Sequence, residues 1–119
     1  MKTNSGRDSI TQQRLTTFLA ERVLGWSEGP DRFLRGKRSW LPKWRFQPLV
    51  NFKDAFVLLE AAAPNNYRMD ADATGEFRVR LEIKGCVGEA RDRLIARAIS
   101  IAIARALGIS AEVDGPIQW

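Results

Sequence analysis

The nine residues from Glu76 to Lys84 alternate without a break: Phe77, Val79, Leu81 and Ile83 on one side, Glu76, Arg78, Arg80, Glu82 and Lys84 on the other. Side chains on a strand point to opposite faces with a period of two, so this segment is a strand with one buried and one wet face. A turn at Gly85 to Gly88 follows. From about Glu89 to Leu107 the period becomes helical, with an apolar arc much wider than the polar one. A strand feeding a long apolar helix constrains architecture and leaves chemistry open.

The chain has 119 residues, enough for one domain that buries a core without disulfides or metal. No stretch approaches the roughly 18 consecutive apolar residues of a membrane span. The polar start, Met1 to Asp8, lacks the apolar centre of a signal peptide, so residues 1–8 read as a flexible terminus of a cytoplasmic protein with no membrane partner. The single cysteine, Cys86, at the end of an apolar strand, reads as a small buried residue.

There is no histidine. That excludes the ordinary serine or cysteine triad and the zinc sites that use imidazole. Carboxylate chemistry remains as a third hypothesis: Asp70 and Asp72, two apart on one predicted strand, share a side and with Glu82 could serve a small enzyme. The simpler reading is a solvated face approaching the turn at Ala73-Thr74-Gly75. Gly85 and Gly88 do not match a phosphate-binding fingerprint. No catalytic residue, cofactor or metal is expected, and the chain reads as a non-enzyme.

The first helix is predicted from Ser9 or Ile10 to Leu24, capped by Ser9 or Thr11, burying Leu15, Phe18, Leu19 and Val23 and stopped by Gly25. A second runs from Asn51 to Ala63, with Asn51 as N-cap, Asp54 at its positive end, and Phe52, Phe56, Leu59 and Ala63 as the buried stripe, widened by Val57 and Leu58. Tyr67, Met69 and Ala71 alternate with Arg68, Asp70 and Asp72 as a strand pairing antiparallel with Glu76 to Lys84. The predicted fold is α+β: a short antiparallel sheet, a hairpin plus an edge strand, packed with three helices in the order α-β-α-β-β-α. It occupies residues 9–108, with 109–119 as a tail. Phe18, Val23, Phe56, Leu59, Phe77, Val79, Leu81, Ile83, Leu94, Ile95, Ala98 and Ile99 are its expected core.

Between Arg32 and Pro48 the basic residues Arg32, Arg35, Lys37, Arg38, Lys43 and Arg45 interleave with Phe33, Trp40, Trp44 and Phe46. Nucleic-acid and nucleotide sites use that mixture, charge for phosphate and rings for bases. The binding candidates are Arg35, Lys37, Arg38, Trp40, Lys43, Trp44 and Arg45. Alternatively, if Arg38 to Phe46 is extended, Trp40, Trp44 and Phe46 point inward together, Pro42 confines the strand to an edge, and the cations keep that edge from pairing with strangers. This second reading is the one expected to hold, with Lys43 and Arg45 exposed and both tryptophans covered.

Several of these segments look familiar together. Ala20-Glu21-Arg22-Val23-Leu24-Gly25-Trp26, the tryptophan-rich stretch, Phe46-Gln47-Pro48 leading to Asn51, and the helix Ala55-Phe56-Val57-Leu58-Leu59-Glu60 resemble the phage ABA sandwich domain. The likeness spans about Leu15 to Gly108. It implies a small phage or prophage protein with helices on a short antiparallel sheet, and no catalytic residues to carry over. The chain departs from the family in its basic segment and in the tail, and the polar face of Glu76 to Lys84 fits two layers better than three.

The resemblance and the lack of a catalytic constellation imply an accessory protein of the host cytoplasm that acts by binding. Its expected partner is a host defence protein, such as a CRISPR effector, or a defence nucleotide signal. A nucleic-acid-binding module is the alternative. The net charge of +5 accommodates it, although the fourteen acidic residues are more scattered than in a duplex binder. A homodimer is also expected unless the first helix or the tail, through Val113, Ile117 and Trp119, covers the surplus, because Leu94, Ile95, Ala98, Ile99, Ile101, Ala102, Ile103 and Ala106 spread over roughly 200° of the last helix, more than one core needs. Arg93, Arg97 and Ser100 are its predicted wet side.

Overall fold

A computed structural model of the chain describes residues 9–36, 38–109 and 112–113. The fold begins with a two-residue strand β1 (Ser9–Ile10), after which Thr11 caps helix α1 (Gln12–Leu24) by accepting from the Arg14 N–H at 3.1 Å. Gly25, at φ 73°, ends α1 in the left-handed conformation that glycine adopts without a Cβ clash. Three short strands follow, β2 (Ser27–Glu28), β3 (Arg32–Leu34) and β4 (Trp40–Pro42), then a 3-10 turn at Lys43–Arg45. Helix α2 (Phe52–Ala62) starts where the Asn51 side chain accepts from the Asp54 N–H at 3.1 Å. The strands β5 (Asn66–Ala71), β6 (Phe77–Ile83) and β7 (Cys86–Asp92) make an antiparallel meander, followed by helix α3 (Ile95–Ala106) and β8 (Glu112–Val113).

This is the predicted α+β class, with three helices and small antiparallel sheets. The faces of β6 are as the alternation requires: Val79, Leu81 and Ile83 are buried while Arg78 and Arg80 are exposed. The strand β7 was expected to be the start of the last helix. Its inward residues are Gly88, Ala90 and Asp92, so it carries no large apolar period, and the two-residue turn at Lys84–Gly85, both with positive φ, is the local signal for it.

Gly88 decides how the layers pack. A Cβ built there would stand 2.0 Å from the Ala102 carbonyl oxygen and 2.5 Å from the Ala106 nitrogen. Only glycine lets the backbone of β7 rest directly on α3, and the alanines of α3 complete the fit. Helix α3 also packs on β6, on α2 and, more lightly, on α1. Ten of its twelve residues are therefore buried. The wide apolar arc that was expected to need a second copy is covered within the chain, which removes the reason given for a dimer.

Two residues predicted to face water are inside for the same cause. Ser100 is fully buried and its hydroxyl donates to the Pro48 carbonyl at 2.8 Å. Arg97 and Asp92 form a buried ion pair, Nε to Oδ2 at 3.0 Å, with both side chains 8% exposed. The Nε–H is not aimed along a hydrogen bond, so the contact is chiefly coulombic. The other Asp92 oxygen accepts from the Leu94 N–H at 3.0 Å, tying the end of β7 to the start of α3.

The predicted stripe of α2 is rotated. Ala55, Leu58 and Leu59 face inward, whereas Phe52, Phe56 and Val57 are exposed. Small side chains and two leucines let α2 approach α3, and phenylalanines in that seam would hold the helices apart. Phe18, Val23, Phe77, Leu94 and Ile95 are only partly buried. Cys86 is exposed at the turn end of β7, not buried. Residues 1–8 and most of the predicted tail lie outside the described residues, but β1 pairs in parallel with β8, Ser9 opposite Glu112.

Two stability measurements test this packing. Gly88→Ala is expected to cost at least about 2 kcal/mol in urea unfolding, because the clash is with backbone that cannot rotate away. Arg97→Met alone is expected to cost about 3–5 kcal/mol by leaving Asp92 buried and uncompensated, with part of the loss recovered by adding Asp92→Leu.

Candidate functional site

The basic and aromatic stretch forms a sheet of its own, in the order β2-β3-β4. Its inner side holds a small aromatic core: Trp26 lies 5.9 Å from Phe33 and 5.0 Å from Phe46, and Phe33 meets Phe46 edge-on at 6.1 Å. Phe33 is fully buried, and Leu41 opposite it is partly so. Lys43 belongs to this inner side. Its Nζ sits 2.6 Å from the Glu28 carboxylate and 5.7 Å from the Phe33 ring, so its charge is already matched.

The outer side is different. Leu34 pairs directly with Trp40, and Arg32, diagonally across, places its guanidinium 4.4 Å from the Trp40 ring centre. Asp31 holds that guanidinium through Nε at 3.0 Å. The hydrogen bond from Arg32, and then its charge, keeps the Asp31 carboxyl below the usual range; the same contact raises Arg32. Trp40 is 50% exposed and Trp44 is 69% exposed, with Arg45 5.5 Å from the Trp44 ring. Arg35 and Arg38 project from the β3–β4 loop in water, with no ion pair among the described residues. Lys37, also in the predicted set, lies outside the described residues.

The expectation that Trp40 and Trp44 are covered is thus overturned. The 3-10 turn at Lys43–Arg45 breaks the strand period, sending Trp44 outward while Phe46 stays inward. Trp40 follows the outward register of Leu34, and Phe33 with Leu41 supplies the inner anchors instead. Of the predicted residues, the structure places Trp40, Trp44, Arg35, Arg38 and Arg45 in solvent, and makes Lys43 a brace. Arg32 and Leu34 belong to the outer face as well. The spacing Arg32-Phe33-Leu34 before Trp40 was the signal for them, since a hairpin brings those residues together.

The carboxylates do not assemble a site. Asp70 stands opposite Arg78 on the open face of the meander, and Glu82 accepts from the Asn66 amide at 3.3 Å. Asp72 organises the β5–β6 turn, accepting from the Thr74 hydroxyl at 2.5 Å and from the Thr74 and Glu76 N–H groups. The Thr74 hydroxyl is the main reason that its carboxyl is held below the ordinary value. Among the described residues, no group of three His, Cys, Asp or Glu could hold a metal ion. No helix of the structure is long and apolar enough to cross a membrane.

No protein-family model matches the chain, and no curated protein does. Among solved structures, a phage protein from Bacillus cereus ATCC 14579, determined at 2.0 Å, shares the fold with a TM-score of 0.70. The two are 14% identical, and the match covers 94% of this chain and 97% of the other. At that identity the likeness shows a common fold and nothing about the residues of the site.

The lowered Asp72 carboxyl gives a measurable sign. A group whose folded value is depressed stabilises the fold above its unfolded value, near 3.9, and that contribution disappears as pH falls through the folded value. Carbon-detected NMR titration should find Asp72 among the low-titrating carboxylates. Thr74→Val should move it upward.

Proposed function

We propose that this is a non-enzymatic, phage-type accessory protein that acts by binding in the host cytoplasm, and that its ligand is single-stranded nucleic acid engaged by the β3–β4 hairpin and the turn after it. The observation that carries this reading is the exposure of Trp40 and Trp44, each beside an arginine. Stacking on an open ring rewards any base, and the guanidinium beside the ring meets the phosphate that follows. An enclosed nucleotide site would cover its rings, because small-molecule pockets bury most of their ligand. An open strand leaves them half free. Arg35, Arg38 and Arg45 supply charge that no acid among the described residues takes up. Membership of the phage ABA sandwich family is the finer form of the proposal, resting on the sequence resemblance.

A titration of tryptophan fluorescence with a short oligothymidylate tests it. Neutralising three or four phosphates is expected to give a salt slope of roughly −2 to −3. Trp40→Ala is expected to weaken binding by about 1–3 kcal/mol, and Arg35→Glu with Arg38→Glu to flatten the slope. Absence of binding at low salt, or indifference to all three changes, would sink the reading.

An anti-defence role, through a CRISPR effector or a defence nucleotide signal, is the second reading. The exposed apolar residues Phe52, Phe56 and Val57 on α2, rimmed by Lys53 and Glu60, favour a protein partner for it. Capture from host lysate that survives nuclease and is abolished by Phe56→Glu would support this reading over the first.

A further inference from the structure

The C-terminal ends of the three helices meet the Lys84–Gly85 turn around a cleft of about 510 Å³. That volume falls among small-molecule sites, roughly 300–1,000 Å³. Its covered lining is apolar: Val23, Ala62, Ile83 and Leu107. Among the described residues, its two charged residues are Arg22 and Lys84, both exposed cations with no ion pair, and no carboxylate lines the cleft.

The backbone around the cleft is strained. The two non-glycine residues with positive φ among those described are Ala63, at 48°, and Lys84, at 51°, and both line it. Lys84 occupies the first loop position of a tight hairpin, where asparagine or glycine fits a left-handed backbone far better. The Asn65 side chain holds the turn by accepting from the Lys84 N–H at 2.9 Å. A strained residue whose side chain brings charge to a cleft is what a binding position looks like.

We infer that this cleft binds a small amphiphilic carboxylate, its ionised head taken by Arg22 and Lys84 and its apolar body by Val23, Ile83 and Leu107. Charge balance selects a single negative charge. Each helix C-terminus carries roughly half a negative charge, so three ends offset most of the two cations and leave a small positive balance. That balance attracts an anion and repels a cation, and a carboxylate overshoots it by less than a phosphate dianion does. The site is separate from the tryptophan-bearing hairpin, and its test is independent of nucleic-acid binding.

Octanoate is the probe, followed through the amide signals of Asn65, Ile83, Lys84 and Leu107 in the intact chain. Saturable shifts confined to those residues are expected, weaker with octyl phosphate and absent with octyltrimethylammonium. Lys84→Asn separates binding from folding: it is expected to raise Tm by relieving the left-handed lysine, yet to weaken octanoate at least tenfold. Arg22→Gln should weaken it to a similar extent. No shift at millimolar octanoate, equal shifts with octanol, or octanoate affinity unchanged in both variants would overturn the inference.

Discussion

The close approach of β7 to α3 is the contact on which the rest of the molecule depends. With no side chain at Gly88, a strand backbone lies on a helix backbone, and α3 becomes the central element instead of one helix on a surface. A central helix needs small and apolar residues on almost every side, and Ala96 to Ala106 supplies them. It must also satisfy its polar side chains internally. Arg97 does so against Asp92, and Ser100 against the Pro48 carbonyl. That last bond reaches across 52 residues and fixes the segment joining the two sheets.

Much of this was legible in the sequence wherever the signal was local. Thr11, Gly25 and Asn51 cap helices as their types predict, and the faces of β6 follow its alternation. The losses came where a tertiary contact replaced the hydrophobic signal. β7 could not be read as a strand because its inward positions are a glycine, an alanine and an aspartate, each selected by what α3 presents to it. For α2, two phenylalanines on one stripe looked like core, but the seam with α3 selected Ala55 and the leucines. The basic and aromatic segment was recognised by composition and misjudged in orientation, because Phe33 and Leu41 set the inward register of the hairpin and the 3-10 turn then sends Trp44 outward while Phe46 stays inward.

The small sheet divides its residues between two tasks. Trp26, Phe33 and Phe46 fasten its inner side to the main core, and Glu28 and Asp31 each match one cation. The Arg32–Asp31 pair is largely in water and orients its side chains more than it stabilises the fold, whereas the Lys43 side chain is mostly covered. Asp31 thereby sets Arg32 against the Trp40 ring, while Arg35 and Arg38 have no ion pair among the described residues. The open face of the meander follows the opposite rule: Arg78 and Arg80 both lie within 4.0 Å of Glu89, and Arg91 reaches Asp72 at 3.9 Å. Cations there are balanced by neighbours, which leaves the hairpin as the more strongly positive surface.

The parallel pairing of β1 with β8 sets an order on folding during synthesis. Glu112 leaves the ribosome 103 positions after its partner Ser9, the difference between the two numbers. Contacts of such long range form late, after shorter ones have reduced the loop to be closed. The β1–β8 pairing therefore closes a loop that holds nearly all of the described residues, and a polypeptide stalled short of β8 has β1 without that partner.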